Sequence, residues 1–102
     1  MTAELNRLLS DPTRLAIMAM LCAVDWCDFA FLRDEVGLSD SALSKQLTTL
    51  RTDGQIEQQR TYLGRVPKTT IRATDDGRRR FLAHAEALRE IVDRAGQATP
   101  RD

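Results

Sequence analysis

Few residues in this chain can do covalent or metal chemistry. It holds one histidine, His84, and two cysteines, Cys22 and Cys27. Structural thiolate sites use three or four ligands, so no metal and no cofactor are expected. There is no glycine-rich phosphate loop and no serine nucleophile motif. An enzyme would have to rest on a thiol at Cys22 or Cys27, and a non-enzymatic protein is expected. Cys22 falls on an apolar stripe, where a free cysteine behaves as a small hydrophobe. His84 reads as an ordinary helix residue.

The remaining chemistry is electrostatic. The formal net charge is zero, with 15 basic and 15 acidic residues. Between Ser41 and Arg80, however, stand nine bases and four acids, a net of +5. Lysine and arginine bind nucleic acid by neutralising phosphates, which needs only one basic face. Inside this stretch Ser41, Lys45, Thr48 and Thr52 recur on one side of a helix, flanked by Ser44 and Thr49, while Leu43, Leu47 and Leu50 define the opposite, buried side. Hydroxyls reach base edges or phosphates, and lysine contacts guanine or a phosphate. Gln46 lies nearer the core edge and no asparagine faces out, so no adenine contact is expected. Arg65 and Lys68 sit in a hairpin tip, Tyr62 to Lys68, with Gly64 to allow the turn and Pro67 to stiffen it. There an arginine can enter the minor groove or hold a phosphate. A solvated helix face and a solubilising loop would have the same composition; the order of the elements tips the balance to DNA.

Those elements read as follows. Leu5, Leu8 and Leu9 form a short apolar stripe, broken at Ser10 and Asp11. Asp11 can cap a helix with Pro12 in its first position, and Leu15, Met18, Ala19 and Cys22 make its inward face. Asp25 to Asp28 reads as a connector. A short helix from Phe29 turns Phe29, Leu32 and Val36 inward and stops at Gly37. Leu38-Ser39-Asp40 is a tight turn, with Ser39 capping the polar-faced helix that ends at Asp53-Gly54. Two antiparallel strands follow, about Ile56 to Tyr62 and Thr69 to Ala73, joined by a loop over Leu63 to Lys68. Thr74 caps a last helix, with Asp75 and Asp76 in the first turn where the helix dipole favours them. That helix runs to Gly96, with Phe81, Ala85, Leu88, Val92 and Ala95 at spacings of 4, 3, 4 and 3. The fold class is mainly α with a small β-hairpin, a winged helix-turn-helix. A single domain over 1–96 with a flexible tail over 97–102 is expected. Trp26, Phe29 and Phe31 are expected in the core rather than in a pocket. No apolar run reaches a membrane span of roughly 20 residues, and the N-terminus does not read as a secretory signal; a reducing cytoplasm is the expected compartment.

Four stretches carry a resemblance: S-D-P-T-R-L-A-I (10–17), L-S-D-S-A-L-S-K-Q-L (38–47), L-R-T-D-G-Q-I-E (50–57) and T-D-D-G-R (74–78). Together they resemble the small single-domain members of the MarR/ArsR-like winged-helix transcriptional regulators, over about Ser10 to Ala95. The resemblance implies a homodimeric DNA-binding regulator. It implies that Ser41, Ser44, Lys45, Thr48 and Thr49 face DNA, that Arg65 lies at the wing tip, and that Arg60 and Lys68 contact phosphates. The metal-sensing branch uses a cysteine pair with one residue between them, just before the helix-turn-helix. Here Asp25 holds the first of those positions and Cys27 the second, so metal sensing is not implied.

The outer helices carry more apolar positions than a small domain needs. Leu5, Leu8, Leu9, Phe81, Ala85, Leu88, Val92 and Ala95 are therefore candidates for a two-fold homodimer. It would set two reading helices about 34 Å apart on double-stranded DNA with a pseudo-palindromic operator. A small-molecule effector between the helices, a protein partner or protein concentration could regulate such a dimer. A winged helix serving as a protein-interaction module without DNA is the competing reading.

Overall fold

A computed structural model describes residues 5–97. A 3-10 turn, Leu8–Ser10, leads into α1 (Pro12–Cys22), β1 (Cys27–Asp28), α2 (Phe29–Val36), α3 (Asp40–Thr52), β2 (Ile56–Leu63), β3 (Val66–Ala73) and α4 (Asp75–Gln97). The helices are mainly set by their ends. The Asp11 carboxylate accepts from the Arg14 N–H at 3.0 Å, with Pro12 in the first helical position. Ser39 Oγ accepts from the Ala42 N–H at 3.1 Å. Thr74 Oγ1 accepts from the Gly77 N–H at 2.9 Å. Each cap satisfies a donor that the first helical turn leaves open. Gly37, at φ +71°, closes α2 in the left-handed conformation.

The core is built from Leu9, Ile17, Met18, Leu21, Leu32, Leu43, Leu47, Leu50, Ile56 and Ile71, all buried. Phe29 and Val36 pack against it from α2. Burying each such side chain stabilises the fold by about 1.5–3 kcal/mol. Three leucines at the 4 and 3 spacing of α3 are enclosed, which obliges the opposite side of that helix to face outward.

Several expectations need correction. In α1 the buried residues are Ile17, Met18 and Leu21; Ala19 is exposed and Cys22 only half-buried. The inward stripe is thus rotated toward Ile17, because α1 is covered on that side by α2, α4 and the sheet. Asp25 to Asp28 is not all connector. Cys27 and Asp28 form β1, paired with Ile71 and Thr70 of β3, so the sheet has three strands in the order β1-β3-β2. Two residues give no alternation to read. The hairpin has no six-residue loop: β2 and β3 stay paired from Ile56↔Ala73 out to Leu63↔Val66, leaving only Gly64-Arg65 as the turn. Pro67 fits in β3 because β1 ends before it and leaves that edge of the strand open. Phe31 is 53% exposed rather than core, and Trp26 is half-buried under the Arg72 guanidinium, 4.9 Å from the ring centre. Helix α4 extends to Gln97; residues 98–102 of the expected tail and residues 1–4 lie outside the described residues.

Candidate nucleic-acid interface

The two elements that could read DNA are fixed to the body by their inner residues. The Leu43-Leu47-Leu50 side of α3 is locked into the core, and Arg14 of α1 bonds Gln46 Oε1 at 3.1 Å, which holds Gln46 at the core edge. Arg33 of α2 pairs with Asp40 at 2.7 Å across the turn, while also bonding Asp34. These carboxylates hold the guanidinium in its charged form. The angle between α2 and α3 is therefore tied by a charge-assisted bond as well as by packing.

Ser41, Ser44, Lys45, Thr48 and Thr52 are exposed on α3, and Thr49 is half-buried. Thr48 Oγ1 donates to the Ser44 carbonyl at 2.9 Å and Thr49 Oγ1 to the Lys45 carbonyl at 3.3 Å. Such back-bonding occupies the hydroxyl proton and leaves the oxygen as an acceptor. Ser41 Oγ lies 3.3 Å from the capping Ser39 Oγ. Lys45 is the cationic donor on the face, and it has no carboxylate partner among the described residues. Arg51, not singled out from the sequence, joins the face to the wing: its guanidinium donates to Gln58 Oε1 of β2 at 2.6 Å. The seven-residue separation of Arg51 and Gln58, across a helix end and a strand start, carried no sequence signal.

In the wing, Arg60, Arg65 and Lys68 are exposed. Lys68 leans back on Asp28 at 3.6 Å; Arg60 and Arg65 are unpaired among the described residues. The +5 segment is narrower in space than in sequence. Arg72 pairs with Glu57, Arg79 with Asp76, and Arg80 with Asp53 and Asp76. Arg78 donates to the Cys22 and Val24 carbonyls. Arg72, Arg78 and Arg80 join separate elements and Arg79 pairs within α4, and the Asp76 carboxyl is held below its ordinary pKa by Arg80 and Arg79. Within that segment, the cations left without a side-chain partner among the described residues, Lys45, Arg60 and Arg65, belong to α3 and the wing.

The candidate dimer residues divide. Leu9 is wholly buried in the monomer's own core and is not a free contact surface, whereas Phe81 packs against that core and is half-buried. Leu8, Ala85 and Leu88 are half-buried. Leu5, Val92 and Ala95 are exposed, together with Leu82 and Ile91, which the 4-3 pattern did not pick out. The buried side of α4 runs through Gly77, His84 and Ala87, and everything from Ile91 to Gln97 is exposed because α4 overhangs the body.

The two thiols and the imidazole do not converge: among the described residues, no three of His, Cys, Asp and Glu form a metal-holding group. Burial pushes the Cys22 and Cys27 thiols above their ordinary pKa, which disfavours the reactive thiolate. His84 is buried, and its Nδ1 accepts from the Asn6 N–H at 2.8 Å.

Comparison with known proteins agrees with this geometry. The family model of a winged helix DNA-binding domain matches residues 13–92. An uncharacterized protein of Methanocaldococcus jannaschii is 32% identical over 76 residues, 74% of this chain and 82% of its own. A transcriptional regulator homologue from Pyrococcus horikoshii superimposes with a TM-score of 0.83 at 22% identity, over 88% of this chain and 89% of its own. A MarR-family transcriptional regulator from Silicibacter pomeroyi does so with a TM-score of 0.65 at 23% identity, over 86% of this chain and 58% of its own. No described helix is long and apolar enough to cross a membrane. An outward polar helix face beside a cationic β-ribbon, on a chain matched over 13–92, is what such a domain requires, and the chain belongs to the winged helix DNA-binding domain family, with the fold of the MarR-like regulators.

Proposed function

We propose that this protein is a homodimeric, sequence-specific transcriptional regulator that lays α3 in the major groove and the β2–β3 wing along the flanking backbone or minor groove of a pseudo-palindromic operator. One observation carries the reading. Within the basic segment from Ser41 to Arg80, the cations whose side chains have no partner among the described residues, Lys45, Arg60 and Arg65, lie on α3 and a wing tied to it by Arg51 and Gln58, and no acid occurs from 58 to 74. Phosphates meeting Lys45, Arg60 and Arg65 would find no carboxylate already paired with them, while Asp28 stands against Lys68. Ser41, Ser44, Thr48, Thr49 and Thr52 supply short acceptors around Lys45 for base edges and phosphates. Lys68 would exchange Asp28 for a phosphate.

The dimer rests on α4. Ile91 and Val92 extend its apolar surface beyond the body, at 46% and 67% exposure, with nothing among the described residues to cover them. A second copy related by a two-fold axis offers the same surface in return.

The test is a gel shift against random-pool-selected duplexes and the protein's own upstream region, over a salt series. Salt-dependent binding is expected, abolished by Lys45→Glu with Arg65→Glu. Absence of salt-dependent binding by the unaltered protein, or full binding by the charge-reversed pair, defeats the proposal.

A further inference from the structure

The tip of the wing is apolar where solubility alone would make it polar. Leu63 is 75% exposed, Val66 64% and Tyr62 67%. Leu63 and Val66 form the last pair of the ribbon, and Tyr62 and Pro67 the pair before it. Side chains alternate across a ribbon, so Leu63 and Val66 share one face and Tyr62 and Pro67 the other. Gly64, at φ +65°, allows the tight turn that brings Arg65 between them. Threonine pairs also stabilise such a hairpin and expose less hydrocarbon. Around this tip stand Arg60, Arg65 and Lys68, with no acid from 58 to 74. An apolar point inside a cationic collar is complementary to a surface that is anionic at its rim and apolar in its depth.

We propose that the wing tip is a minor-groove wedge: Leu63 and Val66 press against sugars and base edges beside Arg65, part a flanking base step, and bend the duplex. This rests on the DNA reading above. The placement favours DNA over other anionic surfaces, because Arg51 holds the base of the wing to α3, so any duplex read by α3 passes the tip. From Gln59↔Thr70 to Leu63↔Val66 the ribbon advances about 13 Å, at the usual strand rise of about 3.3 Å. A minor groove about 6 Å wide and 7.5 Å deep admits one side-chain pair but not the whole ribbon. Apolar wedges of this kind kink DNA, most readily at pyrimidine–purine steps, where stacking is weakest. The wing would thereby add operator preference at positions that it does not hydrogen-bond.

The experiment uses the full chain and a duplex selected by it from a random pool, with 2-aminopurine placed in turn at each flanking position. Saturating protein is expected to raise fluorescence at one step per wing, and that step should be selected as a pyrimidine–purine step. Leu63→Ser with Val66→Ser removes only exposed hydrocarbon, and unchanged circular dichroism checks the fold. This variant should lose the fluorescence rise and the step preference while binding falls by less than tenfold. Binding by the unaltered protein with every flanking base still stacked overturns the wedge and leaves the DNA reading standing, as does a full signal from the serine variant. Failure of the pool to yield any bound duplex overturns both. A silent duplex together with wing-dependent sedimentation on phosphatidylserine vesicles overturns the wedge in favour of a lipid surface.

Discussion

Replacing Gly77 with alanine separates helix propensity from tertiary packing at a single atom. In an exposed helix interior, alanine is favoured over glycine by about 1 kcal/mol. At position 77 a Cβ would overlap the Gln55 carbonyl oxygen and lie 2.8 Å from its carbonyl carbon and 3.0 Å from its Cα. The obstacle is backbone, so it cannot rotate aside. The start of α4 would have to retreat, straining the Thr74 N–H bond to Gln55 (3.0 Å), the Thr74 hydroxyl bond to Gly54 (2.7 Å) and the cap on Gly77 (2.9 Å). Overpacking costs about 1–3 kcal/mol, and a weakened cap about 1 kcal/mol more. After subtracting the propensity gain, Gly77→Ala should destabilise by about 1–3 kcal/mol, a large part of the ~5–15 kcal/mol that holds a domain of this kind together. Gly96, on the same helix, is the control: nothing lies within 4 Å of its added Cβ, so Gly96→Ala should be neutral or slightly stabilising. Urea unfolding followed by far-ultraviolet circular dichroism gives both, read as a change in midpoint at constant slope. If Gly77→Ala proves as stable as the unaltered protein, the close approach of α4 to the α3–β2 turn described above is wrong.

Other outcomes follow from the same contacts. Burial holds the His84 pKa below its ordinary value, with the nearby Leu9 backbone pulling weakly the other way. Stability should therefore be complete above the ordinary imidazole pKa of about 6.5 and fall as pH drops toward the lower folded value, because the unfolded chain takes up the proton first. The Asp76 contribution, with its pKa lowered by Arg80 and Arg79, is lost only at more acid pH, below the ordinary carboxylate value. Denaturant midpoints measured from pH 7.5 to 5 should lose their slope in His84→Gln; an unchanged slope removes His84 as the cause. Arg51→Ala and Gln58→Ala should each weaken operator binding about two- to fivefold, as expected for one hydrogen bond of about 0.5–1 kcal/mol. The double substitution should cost no more than either alone, and simple additivity in the titrations denies the coupling. Ile91→Glu with Val92→Glu should shift sedimentation to the monomer with little change in monomer unfolding, whereas Leu9→Ala should cost about 2–5 kcal/mol of folding stability. A dimer that survives the glutamates places the interface elsewhere.

The sequence by itself determined whatever depends on near neighbours along the chain. Asp11-Pro12, Ser39 and Thr74 announce helix starts because a cap is a bond over three residues. Leu43, Leu47 and Leu50 announce a buried side, and so an outward side for Ser41, Lys45 and Thr48, because a helix repeats every 3.6 residues. What only the tertiary structure decided involves partners far apart. Cys27 and Asp28 become a strand because β3, more than forty residues later, offers an edge. Gly77 is required by a carbonyl at Gln55, on another element. Leu9 joins the core rather than a dimer surface because the leading segment folds back onto the body. Which arginines remain free to meet a phosphate was likewise hidden. Charge is written in the sequence, but its neutralisation by Asp53, Glu57 and Asp76 depends on distances that only the folded chain fixes.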